Sequence, residues 1–352
     1  MQTKPSAPSF LLASLLTASA AVAAPNAPWP PLPDVAPSPA GNPSTPAKVE
    51  LGKKLFFDPR VSTDGTVSCN SCHNVMEAGD DDRPTSAGVH GQRGGRSSGT
   101  VYNSAFLSVQ FWDGREPSLE EQAKGPVTNP IEMGMMDHGA VVSRLAAIPG
   151  YVAEFEAVFG KGPITIDNFG KAVAAYERTL ITPDSPYDRY AKGDESALSE
   201  QQKRGLETVL ATGCTVCHSG MNFAGPPLPE GQGFFQKVPL IPGSEYEKKY
   251  DLTSDTGREQ ATKNPADRNM WRVPTLRNIA LTAPYFHNGS VATLDEAVRV
   301  MAKIQLGKDL TEPQVADIVA FLGSLTGKFP EQRMPRLPGV EGKTVVPLDT
   351  KK

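Results

Sequence analysis

Two pentapeptides hold most of the chemistry open to this 352-residue chain: Cys69-Asn70-Ser71-Cys72-His73 and Cys214-Thr215-Val216-Cys217-His218. They use all four of its cysteines. In Cys-x-x-Cys-His each thiol can form a thioether to a vinyl-derived carbon of a porphyrin, and the histidine that follows falls beneath the iron as proximal ligand. Four cysteines could instead make two disulfides, hold a tetrahedral zinc or exchange electrons as dithiols. None of these accounts for a histidine directly after both second cysteines. The spacing therefore predicts two covalently attached haem c groups, 145 positions apart and so one to each of two domains.

Whether such a protein carries electrons or performs chemistry depends on the sixth ligand of each iron. A site filled by protein on both sides transfers electrons, whereas an open or releasable position admits peroxide. With His73 and His218 proximal, the remaining three of five histidines, His90, His138 and His287, are candidates for the opposite faces. A lone loop histidine is usually just solvated. His90, however, follows His73 by 17 residues, inside the glycine-rich Ser86-Ala87-Gly88-Val89-His90-Gly91-Gln92-Arg93-Gly94-Gly95, a segment able to swing. Met301 shares an apolar helical face with Ala297 and Val298, where a methionine is more often core than ligand on periodicity alone. His138 has no evident role.

The elements that position these residues can be read along the chain. Residues 1–23 have the make-up of an export signal, with Lys4, an apolar core at 10–16 and the cleavage site Ala21-Val22-Ala23, so the mature chain is expected to begin near Ala24. No segment is a long enough apolar run to span a bilayer. Covalent haem attachment after export points to a bacterial periplasm. Residues 24–44 form a proline-rich arm with little core of its own. Two cytochrome domains follow at 45–185 and 186–330, then a C-terminal tail at 331–352. The formal charge of -4, without any basic run, gives no support for nucleic-acid binding. The acidic triplet Asp80, Asp81 and Asp82 is read as a solvated loop.

Helix signals dominate. Thr45 caps and Pro46 opens a helix that buries Val49, Leu51, Leu55 and Phe56 before Pro59. Ser199 with Gln202 makes a capping box for a helix carrying Leu206, Val209 and Leu210, which Gly213 ends at Cys214. A helix leading into Cys-x-x-Cys-His is thus an internal repeat. Further helices are expected at 141–159 and 167–180, from Thr293 with Glu296 through Val298, Met301 and Ile304, and from Thr311 through Val315, Ile318, Val319 and Leu322. No alternating strand pattern is convincing. The fold class is mainly α: two tandem cytochrome c-like domains, each with one covalently bound c-type haem.

Several stretches in order resemble the bacterial dihaem cytochrome c peroxidase family. They are Cys69-Asn70-Ser71-Cys72-His73-Asn74, Gln110-Phe111-Trp112-Asp113-Gly114-Arg115, Glu121-Gln122-Ala123 and Pro130-Ile131-Glu132-Met133. The second half adds Val273-Pro274-Thr275-Leu276-Arg277-Asn278, Pro284-Tyr285-Phe286-His287-Asn288-Gly289-Ser290 and Met301. The resemblance spans residues 45–330.

It implies that the haem on Cys69, Cys72 and His73 is the low-potential peroxidatic centre, with His90 in its sixth site at rest. The haem on Cys214, Cys217 and His218, with Met301 opposite, would be the high-potential centre that receives electrons. Trp112 would lie between the haems, Glu132 would be the distal acid-base residue, and Gln122 would accompany it. The implied reaction is reduction of hydrogen peroxide to water, with electrons from a small periplasmic cytochrome c or cupredoxin and a reductive rearrangement that withdraws His90. Calcium is also implied, held by the carbonyls of Thr282 and Pro284 and an asparagine side chain. Here the chain departs from the family: Ser97 takes the asparagine position, and the loop from His90 to Arg96 is one residue short. A homodimer is a family option, though no segment here marks an interface. Two other readings exist. The MauG-like maturation type, which oxidises tryptophans of a partner protein, has a tyrosine where this chain has Met301. A plain dihaem electron carrier would leave Gln122 and Glu132 without a purpose.

Overall fold

The computed structural model describes residues 27–347, and the export signal lies outside them. Among the described residues the chain is mainly helical. The first half contains α1 (Pro46–Phe57), α2 (Cys69–Cys72), α3 (Leu119–Gln122), α4 (Gly125–Thr128), α5 (His138–Ala146), α6 (Pro149–Phe159) and α7 (Ile166–Glu177). The second contains α8 (Pro186–Ala191), α9 (Glu200–Thr212), α10 (Glu245–Lys249), α11 (Glu259–Thr262), α12 (Leu294–Leu306) and α13 (Glu312–Gly323). Two short strands, β1 (Phe235–Lys237) and β2 (Met270–Arg272), pair antiparallel.

Local chemistry accounts for the helix ends. The Thr45 hydroxyl accepts from the Lys48 N–H and Pro46 fills the first turn of α1, where an N–H would have no partner. The Ser199–Gln202 capping box opens α9, and Gly213 closes it in a left-handed conformation. Residues 141–159 form two helices instead of one. Pro149 lacks the N–H that a continuous helix needs, so α5 stops and α6 restarts with the proline in its first turn. Leu210, expected on the buried face of α9, is exposed, and Thr293 makes no capping bond to α12.

The two halves repeat one packing device. α1 crosses α7 and α9 crosses α13, each with a glycine at the contact. A Cβ on Gly52 would lie 1.8 Å from the Ala172 carbonyl oxygen, and one on Gly205 would lie 2.0 Å from that of Asp317. Only a residue without a side chain lets the helix axes approach so closely. One core gathers Leu51, Leu55, Phe56, Tyr102, Tyr151, Phe169 and Tyr176; the other gathers Tyr187, Leu206, Val209, Phe223, Phe321 and Leu325.

The chain ends cross over. The described part of the proline-rich arm has no helix or strand, yet Trp29 is buried in the second core, where its backbone N–H donates to the Tyr187 hydroxyl at 3.1 Å. Leu32 N–H donates to Asp188 at 2.9 Å, and Asp188 is fully buried against Arg277 at 2.8 and 3.0 Å. At the other end Phe329, Val340 and Val345 pack on the first core, and Arg60 donates to the Pro338 carbonyl at 2.9 Å. Neither terminal segment is a free extension.

Candidate active site

One continuous cavity has both Cys-x-x-Cys-His motifs in its wall, with Trp112, Gln122, Glu132 and Met301. The four cysteines form no disulfide, and burial raises the pKa of every thiol, that of Cys72 to about 11. The two histidines are held alike. His73 Nδ1 lies 2.9 Å from the Gly99 carbonyl oxygen, and His218 Nδ1 lies 3.1 Å from that of Phe223. A carbonyl can only accept, so each Nδ1 carries the proton and each Nε2 keeps a free lone pair. Burial lowers both imidazole pKa values and so keeps the rings neutral. A neutral ring, oriented through Nδ1 and free at Nε2, is what axial ligation of iron requires.

The cavity wall also contains buried polar atoms without partners, Trp271 Nε1 and His287 Nε2. The two rings stack with centroids 4.1 Å apart. Unpaired buried polar atoms are costly in a folded protein, and the propionate carboxylates of a haem are acceptors of the kind the Trp271 N–H lacks. Thiols, locked imidazoles and this unpaired donor together fit two haem groups, on Cys69, Cys72 and His73 and on Cys214, Cys217 and His218.

Glu132 sits in the turn after α4. Its carboxylate accepts from Asn129 Nδ2 at 2.8 Å, and its backbone N–H donates to the Asn129 carbonyl at 3.0 Å. Burial raises its carboxyl pKa, while the positive charge of Arg115 and the Asn129 bond work in the opposite direction. Gln122 closes α3, whose first turn is set by Ser118 capping the Glu121 N–H. Trp112 is fixed from both sides: its Nε1–H donates to the Ser97 carbonyl at 2.8 Å, and its own carbonyl accepts from Arg272 N–H at 2.9 Å. Met301 faces the cavity from α12 beside Ala297 and Val298.

His90 lies outside this group. It adopts φ 57°, its side chain is 66% exposed, and Nδ1 is 3.6 Å from an Asp64 carboxylate oxygen. The start of its loop is anchored to the Glu132 turn: Val89 N–H donates to the Glu132 carbonyl at 2.8 Å, and a Cβ on Gly88 would lie 1.8 Å from the Ile131 oxygen. His138 is also exposed, its Nε2 2.9 Å from the Lys124 carbonyl. Ser97, Thr282 and Pro284 all line the cavity. Asp80, read from sequence as part of a solvated loop, is buried in the cavity wall, where loss of hydration and then the charge of Asp82 push its carboxyl up to about 7.

Several supporting groups escape sequence reading. The Gly99 and Phe223 carbonyls act through the backbone and have no side-chain signature. The Trp271–His287 stack joins residues distant in sequence. Asn129, three residues before Glu132, was within reach of a local-spacing argument.

Comparison with known proteins agrees with this geometry. Residues 46–196 match the family described as di-haem cytochrome c peroxidase. The chain is 45% identical to cytochrome c551 peroxidase of Pseudomonas aeruginosa, covering 91% of this chain and 90% of that protein. It is 42% identical to cytochrome c551 peroxidase of Nitrosomonas europaea, with the same coverage of 91% and 90%. Among solved structures it is similar to a MauG-like protein associated with microbial copper homeostasis, at TM-score 0.71 and 29% identity, covering 86% of this chain and 94% of that one.

Proposed function

We propose, from the premise that the chain belongs to the di-haem cytochrome c peroxidase family, that it reduces hydrogen peroxide to water in the periplasm with electrons from a small cytochrome c or cupredoxin. Its enzyme class is cytochrome c peroxidase, and the family implies two haem cofactors. The observation that carries the proposal is Glu132: a largely buried carboxyl with a raised pKa and a fixed orientation, in the same cavity as the locked imidazole of His73.

Bound haem would supply an iron able to exchange single electrons with donor and peroxide. The protein's own groups do the rest. Glu132 takes the proton from one peroxide oxygen and returns it to the other, which then departs as water. Asn129 holds the carboxylate in place for that transfer, Arg115 favours its ionised form, and Gln122 adds a polar group to the same wall. Trp112, bonded to Ser97 and Arg272, is the contact between the two centres. Met301 serves the centre that receives electrons. Its thioether, at the position where the maturation type has tyrosine, supports peroxide reduction over oxidation of a partner protein.

His90 belongs to the proposal as a gate. Its place beside Asp64 corresponds to the withdrawn position, with the distal wall left to Glu132 and Gln122. The loop is built for such a movement: anchored at Gly88 and Val89, it continues through Gly91, Gly94 and Gly95, none of which has a neighbour within 4 Å of a Cβ position. Calcium is assigned to the carbonyls of Thr282 and Pro284 and the side chain of Ser97. The Ser97 backbone is already committed, its N–H to His287 O at 2.7 Å and its carbonyl to Trp112.

The test is Glu132→Gln, assayed by peroxide-dependent oxidation of a reduced small cytochrome c. Both haem spectra should persist and most turnover should disappear, by roughly 100-fold or more. Full activity with both haems bound would remove Glu132 from the mechanism.

A further inference from the structure

We propose that Glu177 is the proton partner of electron transfer at the first haem centre, its carboxyl taking up one proton as that centre takes up one electron. This rests on the assignment of a haem to Cys69, Cys72 and His73.

Helix α7 presents two side chains to the cavity four residues apart, Val173 and Glu177, the spacing that places residues on one helical face. Glu177 is 5% exposed, and its Oε2 is buried without a hydrogen-bond partner. Cys69 lines the same cavity, and its thiol responds to Glu177 more than to any other ionisable group. Burial pushes the Glu177 carboxyl up to about 8, into the range where a change in nearby charge alters its proton occupancy around neutral pH.

The surrounding charges leave that proton free to respond. Just past α7, Arg178 is spent on Glu120 of α3, at 2.8 and 3.0 Å. Tyr176 faces Glu50 and Lys53 of α1 and bonds Gln332 at 3.0 Å. Helix α5 contributes apolar Val141 and Leu145 to this core. No charged group is paired with Glu177 itself among the described residues. When an electron enters the haem beside Cys69, the local positive charge falls by one unit. A carboxylate there then binds a proton more tightly, because a nearby positive charge no longer favours its ionised form. Electron and proton arrive together and leave together when the centre is reoxidised, as one of the two electrons and two protons that each peroxide consumes. No bond to substrate forms or breaks in this step.

Spectroelectrochemical titration of the holoprotein between roughly pH 6 and pH 9 tests this without any turnover. The potential of the first haem should fall as pH rises, by up to ~59 mV for each tenfold drop in proton activity. The second haem should show no such slope. Glu177→Gln should flatten the first haem's slope with both haem spectra intact, Glu177→Asp should keep a displaced slope, and Glu132→Gln should leave it as in wild type. A wild-type slope in Glu177→Gln, or a slope lost in Glu132→Gln, overturns the proposal. If Glu177→Gln does not fold, Glu177→Asp decides, since a slope unchanged in size and position overturns it. Absence of haem from Cys69 in the wild-type protein would refute the site assignment instead.

Discussion

In the proposed reaction Glu132 has to be ionised to take a proton and neutral to give one, and its neighbours act on that balance from opposite sides. Burial favours the acid; the Asn129 Nδ2 bond and the charge of Arg115 favour the carboxylate. Asn129→Ala removes one stabiliser of the ionised form, so the carboxyl pKa rises further. The acid limb of kcat/KM should then move to higher pH, with the alkaline limb unchanged, in a pH–rate profile with peroxide as the varied substrate. An unmoved acid limb would mean that the bond does not act on the catalytic form. At this scale the sequence was informative where chemistry needs particular side chains at fixed spacing: both haem motifs, Trp112, Gln122, Glu132 and Met301 share one cavity wall. It was uninformative where backbone does the work, as with the carbonyls that orient His73 and His218, and where burial reverses an apparent role, as with Asp80.

Helices α1 and α9 show why the two halves can each place a haem motif beside a packed core. Their glycines bring α7 and α13 to within backbone contact, and these crossings fix the helices that lead into Cys69 and Cys214. Gly52→Ala and Gly205→Ala must push a carbonyl aside, at a cost of about 1–3 kcal/mol or more for each. Chemical denaturation of the single variants should show losses of that size, and Gly94→Ala, which meets no neighbour and needs no positive φ, serves as the comparison for space. Near-wild-type stability in Gly52→Ala would mean that the crossing opens cheaply. The Ser199–Gln202 capping box and the starts of α1 and α13 were legible because one or two side chains near each end determine them, whereas the box read at Thr293 did not form. The break at Pro149 was missed although proline is a strong signal, because the apolar spacing continues through it.

On the scale of the whole molecule, the two cores are joined by their exchanged ends. Trp29 fills part of the second core and makes edge contact with Phe223 at 4.9 Å between centroids, while Phe329, Val340 and Val345 cover the first. Trp29→Ala should cost about 3 kcal/mol and should loosen the half that contains Cys214, more than 180 residues away in sequence. Hydrogen exchange resolved along the chain would check this, with faster exchange in α9 and α13 than in α1 and α7. Composition alone suggested an arm with little core of its own, because proline and alanine bury little surface; a single tryptophan outweighs them once a pocket exists to receive it.

The crossing has a consequence for the order in which the protein can be built. A chain made from its N-terminus can fold its early segments first, but the first core here is capped by residues that emerge last. In the proposed periplasmic reading haem joins Cys69 and Cys72 after export, which also runs from the N-terminus, and the late arrival of Phe329, Val340 and Val345 leaves that half unsealed until export is nearly finished. The C-terminal segment thus acts as a closure whose timing is set by chain length, giving the first haem a loading interval that the second half of the chain provides.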